Sequence, residues 1–161
     1  MRIFEFRSRA LLLRPPDEVF PFFADARNLE YLTPAWLRFA MLTPSPVEMR
    51  PGTLIDYRVR LRGVPLRWRS EITAWEPPYR FVDEQRRGPY RLWIHEHRFE
   101  ETDYGGTLAD DVVRYAVPGG WLADRLLVRR DLERIFDHRR RVLRDLFGSA
   151  PRGTGSPTPK G

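Results

Sequence analysis

At 161 residues the chain has single-domain length and can bury a core unaided, and the absence of cysteine excludes disulfides and thiolate metal sites. Its formal net charge is +6 with a pI of about 10.3, yet Lys160 is the only lysine and the arginines alternate with Asp and Glu instead of forming a block. A GC-rich bacterial coding genome produces that bias as readily as a ligand does, so no nucleic-acid partner is expected; with no membrane-length apolar run and no signal-peptide core in residues 1–13, a cytoplasmic protein is.

Residues Ile3 to Leu13 alternate as a first strand, with Phe4, Phe6, Ser8, Ala10 and Leu12 on one side. Pro15-Pro16-Asp17-Glu18 then opens a helix that carries Val19, Phe20, Phe22 and Phe23 inward, since proline suits the first turn and acidic residues suit the positive end of the helix dipole. A second short helix from Ala26 to Leu32 stops at Thr33-Pro34. From Trp36 to Pro118 the period is two, which predicts strands over Leu37–Leu42, Thr53–Arg62, Pro65–Trp75, Arg80–Arg86, Tyr90–Glu101 and Thr107–Val117. The short Gly- and Pro-bearing links between them imply consecutive antiparallel pairing.

Trp121 to Phe147 is long enough, and free enough of Gly and Pro, for a helix of many turns. Leu122, Leu126, Val128, Leu132, Ile135, Phe136, Val142, Leu143 and Leu146 form its apolar stripe, so one face is expected to be buried. The Gly/Pro/Ser/Thr tail at 148–161 is expected to be disordered. The resulting architecture is α+β: a curved antiparallel sheet of about seven strands, two short helices after the first strand, and a long C-terminal helix over a cavity.

Pro16-Asp17-Glu18-Val19-Phe20, Ile72-Thr73-Ala74-Trp75-Glu76-Pro77-Pro78 and Trp93-Ile94-His95-Glu96-His97-Arg98-Phe99-Glu100, taken in that order of elements, resemble the START-like helix-grip superfamily, also called SRPBCC. Pollen-allergen-type, polyketide cyclase/dehydrase-like and lipid-transfer proteins belong to it, and the likeness covers about Arg2 to Phe147 as one domain over residues 1–147. The resemblance implies a hydrophobic cavity between sheet and helix. It implies no reaction, because the superfamily has no universal catalytic residue.

Strand parity selects the cavity wall. Arg91, Trp93, His95, His97 and Phe99 share one side of their strand, and Phe81, Asp83, Gln85 and Thr107, Ala109, Asp111, Val113, Tyr115 are the matching odd sets. The expected ligand-binding residues are Tyr57, Val59, Trp68, Ile72, Phe81, Asp83, Arg91, Trp93, His95, His97, Tyr115 and Ile135. Closing the last hairpin sets His97 opposite Asp111 or Val113, and the Gly88-Pro89 turn sets Asp83 near Trp93 or Arg91. His95 or His97 beside Asp111 or Asp83 is the pairing wanted for general acid/base chemistry, and equally one that satisfies its own hydrogen bonds inside a mixed cavity. His95-x-His97 also offers two imidazoles to a metal, but zinc needs a well-placed third ligand and second-shell support, so neither metal nor cofactor is assigned.

The leading function is therefore binding or carriage of a small hydrophobic, lipid- or polyketide-like ligand. A cyclase or dehydratase using His95, His97 and Asp111 is the alternative, and an interaction or regulatory module is a third. His138 on the long helix reads as a packed or rim residue. The helix arginines Arg125, Arg129, Arg130, Arg134, Arg140, Arg141 and Arg144 read as a solvated, ion-paired face that permits transient membrane-surface contact. The pattern leaves ligand identity and oligomeric state open.

Overall fold

The computed structural model describes residues 1–148, so the tail expected to be disordered lies, from Ser149 on, outside the described residues. Seven strands form one antiparallel sheet in the order β1-β7-β6-β5-β4-β3-β2: β1 (Phe4–Leu12), β2 (Ala40–Met41), β3 (Leu54–Leu61), β4 (Val64–Glu76), β5 (Arg80–Arg87), β6 (Leu92–Glu101) and β7 (Thr107–Ala116). Each strand after β2 pairs with its predecessor, and β1 closes the order by pairing with β7, where Ser8 lies opposite Asp111. The helices α1 (Pro16–Ala24) and α2 (Leu29–Leu32) follow β1, and α3 (Gly120–Ala123) runs through a π-helical turn at Asp124–Val128 into α4 (Arg129–Phe147). This is the α+β helix-grip fold.

Alternation decides which side of the sheet is dry. In β1, Phe6, Ser8, Ala10 and Leu12 are buried while Glu5, Arg7, Arg9 and Leu11 are exposed, as its period of two requires. Arginines on the outer face pair across strands with carboxylates: Arg69 donates to Asp56 at 2.8 Å, Arg86 to Glu71 at 2.5 Å and Arg9 to Asp110 at 3.3 Å. Much of the basic charge is thereby matched locally.

The expected strand Leu37–Leu42 shrinks to Ala40–Met41. Pro34 opens a 3₁₀ turn over Ala35–Leu37, Arg38 ends it at a positive φ of 45°, and Pro44, Pro46 and Pro51 bring no backbone N–H that could extend the pairing. The pairing of β4 with β5 shifts register between Ile72 and Ala74. That bulge reverses parity, so Trp68, Ser70 and Ile72 face inward before it and Trp75 packs inward on Phe20 and Phe81 after it.

The long helix also departs from uniform geometry. A π turn inserts an extra residue and rotates the phase of the stripe. Leu132, Phe136 and Leu143 are buried as expected, but Leu122, Leu126 and Leu146 are about half exposed, at 50%, 49% and 50%. Asp124, not a leucine, turns inward there, and the Tyr115 hydroxyl donates to it at 2.6 Å.

Candidate ligand cavity and its polar cluster

Two apolar clusters flank the interior. Phe20, Phe23, Phe81, Phe99 and Leu143 fill one end, and Phe6, Val113, Tyr115, Leu132 and Phe136 the other. Between them, under α4, lies a cavity of about 180 Å³. Its wall includes Tyr57, Val59, Trp68, Ile72, Phe81, Asp83, Trp93, His95, His97 and Ile135, ten of the twelve residues expected there.

The other two are elsewhere. Arg91 precedes β6 and is exposed, with its backbone N–H bound to the Ala116 carbonyl at 2.9 Å. Tyr115 has the inward parity, but it is fully buried against Phe4 and Trp93, with its hydroxyl committed to Asp124. Parity gives the face and not the depth, and these two lie at the end of the sheet that the π turn covers.

The histidines are inward and nearly solvent-free, with 8% exposure for His95 and 5% for His97. His97 is opposite Asp111 on β7, one of the two registers expected, whereas Asp83 is opposite His95 and not Trp93 or Arg91. The contacts run diagonally. His95 Nε2 lies 2.8 Å from Asp111 Oδ1, and His97 Nε2 lies 2.7 Å from Asp83 Oδ2.

Arg139 completes the cluster, and the sequence reading passed over it. From α4 its guanidinium donates through Nε to Asp111 Oδ2 and through Nη2 to Asp111 Oδ1, both at 3.0 Å, and Nη2 is also 3.0 Å from His97 Nδ1. It is 6% exposed. Its position was the available signal: 132, 136, 139 and 143 are one helical stripe, and an arginine within it must carry its charge into the core.

These partners fix the protons. A guanidinium only donates, so His97 Nδ1 accepts from Arg139 and its Nε2–H goes to Asp83. His95 donates Nε2–H to Asp111, which leaves Nδ1 as a lone pair with no hydrogen bond; its nearest carboxylate oxygen is Asp83 Oδ2, at 3.9 Å. Among the described residues no fully buried side-chain polar atom lacks a partner, so His95 Nδ1 opens on the cavity.

Burial, followed by the neighbouring His97 ring, pushes His95 down to about 4, against the upward pull of Asp111. For Asp111, burial works to raise the pKa, but the Arg139 charge and the histidine hydrogen bonds hold it well below the usual carboxylate range. Asp83 is lowered in the same way, its burial outweighed by the hydrogen bond from His97 and by the neighbouring histidine rings and Arg139. Tyr57 and Tyr90 are pushed up chiefly by burial, so their phenols stay neutral. His138, the third histidine, is part-exposed, does not line the cavity and approaches the Tyr31 carbonyl at 3.0 Å.

A curved sheet gripping one long helix, with a polar cluster set into an apolar cavity, defines the class of helix-grip domains. Residues 13–144 match the family described as "Polyketide cyclase / dehydrase and lipid transport", and the chain belongs to that family. No curated protein matches it. Solved structures are similar in fold at low identity. The Zhui aromatase/cyclase from a Streptomyces strain is 15% identical with a TM-score of 0.70, covering 96% of this chain and 99% of that one. Protein Ms6760 from Mycobacterium smegmatis is 20% identical with a TM-score of 0.65, covering 88% and 89%. Ara h 8.0201 is 18% identical with a TM-score of 0.62, covering 88% and 99%.

Proposed function

We propose that the protein binds and carries a small hydrophobic molecule about the size of one ring, held by apolar walls and oriented by a hydroxyl donated to His95 Nδ1. The observation that carries this reading is the cavity itself: about 180 Å³, mainly apolar, with an open polar acceptor at His95 Nδ1. An engineered apolar cavity of about 150 Å³ in another protein holds benzene, which sets the scale. Burying a group the size of a phenylalanine ring is worth about 1.5–3 kcal/mol, well short of the roughly 8 kcal/mol of micromolar binding. Polar groups of the cluster must therefore add to the affinity or choose among ligands, a neutral hydrogen bond being worth about 0.5–1.5 kcal/mol.

Catalysis of the cyclase or dehydratase type is the second reading, supported by the oriented Asp111–His95 pair with its free lone pair on the cavity. A histidine pushed down to about 4 is on the order of a thousandfold weaker as a base than one poised at neutral pH, which ranks carriage first. Trp93→Ala removes a wall and should weaken uptake of an apolar fluorescent probe, while equal uptake in that variant sinks the cavity reading. Wild-type turnover of polyketide-like carbonyl compounds that falls a hundredfold or more in His95→Gln would put catalysis in place of carriage.

The half-exposed Trp121, Leu122, Leu126 and Leu127, beside exposed Arg125, Arg129 and Arg130, support transient docking on an anionic bilayer as the place where such a ligand is collected.

A further inference from the structure

We propose that Asp83, His95 and His97 form a binding site for one divalent transition-metal ion, with an open position on the cavity. The inference stands whether or not a hydrophobic ligand is carried. One donor atom from each of the three lies within 4.8 Å of the other two. Metal bonds of about 2.0–2.2 Å separate neighbouring ligand atoms by roughly 3.0–3.4 Å. Asp83 Oδ2 stands 2.7 Å from His97 Nε2 and 3.9 Å from His95 Nδ1, distances on either side of that value, and the widest separation in the group, at most 4.8 Å, has to close by up to about 1.8 Å as the side chains gather on an ion.

The surroundings supply the outer support that a His₂-carboxylate site requires. A metal-bound histidine donates its other N–H to a carboxylate or carbonyl. Both histidines face the same oxygen for that purpose: Asp111 Oδ1 is 2.8 Å from His95 Nε2 and 3.2 Å from His97 Nδ1. His95 already has the required tautomer. His97 reaches it by moving its proton from Nε2 to Nδ1, which releases no proton but gives up both the bond to Asp83 and the one accepted from Arg139 Nη2 in return for one to Asp111, so that Arg139 must turn that N–H aside while keeping its bonds to Asp111. Without a cation that tautomer would set the Nε2 lone pair against the Asp83 carboxylate at 2.7 Å. Arg139, fixed on Asp111 through two hydrogen bonds, holds the supporting carboxylate in place.

Charge points the same way. Asp83, Asp111 and Arg139 leave the cluster with one uncompensated negative charge inside an apolar wall. A divalent ion reverses it to one positive charge. An anionic oxygen on the open position, as in an enolate, phenolate or carboxylate, returns it to zero, and this is the chemical class of ligand the site would select. Imidazole and carboxylate donors with no thiolate suit Zn²⁺, Fe²⁺ or Co²⁺.

The experiment titrates Co²⁺ into chelator-treated full-length protein and follows the visible ligand-field absorption, with Zn²⁺ as competitor. One equivalent should bind, Zn²⁺ should displace it, and azide should alter the spectrum by taking the open position. Asp83→Asn and His95→Gln should abolish the signal while keeping the wild-type circular dichroism, and His138→Gln should retain it. Asp111→Asn, a positioning change, should weaken Co²⁺ binding by about 10- to 100-fold without altering its stoichiometry. Absence of binding by the wild type, or equal binding by Asp83→Asn, overturns the site, and a spectrum indifferent to azide overturns the open position. If a variant fails to fold, wild-type NMR decides: bound Zn²⁺ must move the ring resonances of His95 and His97 and leave those of His138, and any other pattern refutes the assignment. Probe uptake measured on the same samples separates failure of this site from failure of the cavity reading.

Discussion

Asp111 is the residue on which the interior depends, because it accepts from Arg139 and His95 within a region that excludes water. Removing one member of a buried ion pair leaves an uncompensated charge and typically costs about 3–5 kcal/mol. Arg139→Met, similar in length but uncharged, should therefore lower stability by that amount in urea unfolding; a change below about 1 kcal/mol would mean that the pair is solvated. His95 adds a pH dependence in metal-free protein. Its folded value of about 4 lies below the 6.5 of a free histidine, so the unfolded chain binds more protons between those two pH values. Stability is then full above pH 6.5 and falls as pH drops toward 4, by up to about 3 kcal/mol at roughly 1.4 kcal/mol per unit. Asp83, Asp111 and Arg139 face the same ring, and both lowered carboxylates add loss in the same direction at still lower pH. His95→Gln should flatten the upper part of the curve, and unfolding midpoints across pH 4–7 with a chelator present test it.

Elements were legible wherever one face is wet and the other dry. Period-two alternation placed His95 and His97 inward and set His97 opposite Asp111 or Val113, because the other parity would have put Arg98 with Glu96 inside; in the structure Asp111 is the partner, and Arg98 is exposed and turns to Glu96, which is buried on the opposite face of the sheet. Two things escaped that reasoning. Arg139 was passed over because helix arginines usually mark solvent, and the pairing that makes its burial tolerable comes from strands 28 and 42 residues earlier in the chain. The π turn escaped because it is held by a tertiary contact, the hydroxyl of Tyr115 on buried Asp124, which no local pattern encodes. Tyr115→Phe leaves Asp124 buried without that donor and should cost about 1–3 kcal/mol. Thermal denaturation with near-UV circular dichroism checks it, and an unchanged midpoint would show that another group satisfies Asp124.

At the scale of the whole molecule, the π turn bears on both the proposed cavity and the proposed membrane docking. It holds the covering helix over the cavity through Asp124, and the same change of phase turns Trp121, Leu122 and Leu126 outward instead of into the core. Three large apolar side chains left in water beside Arg125, Arg129 and Arg130 have both components of interfacial binding: apolar area to insert, and cations worth about 1 kcal/mol each near anionic lipid. Among the described residues no helix is long and apolar enough to cross a bilayer, and the docking proposed above is of the interfacial kind. Vesicles containing phosphatidylserine should sediment the protein more strongly than neutral ones, and 0.5 M salt should remove most of the difference, because it shortens the Debye length to about 4 Å. Leu122→Ser with Leu126→Ser should reduce the binding that survives high salt, whereas Arg125→Gln with Arg130→Gln should reduce only the part that salt removes. Equal sedimentation with neutral and anionic vesicles would leave the exposed leucines without the electrostatic half of this account and end the membrane proposal.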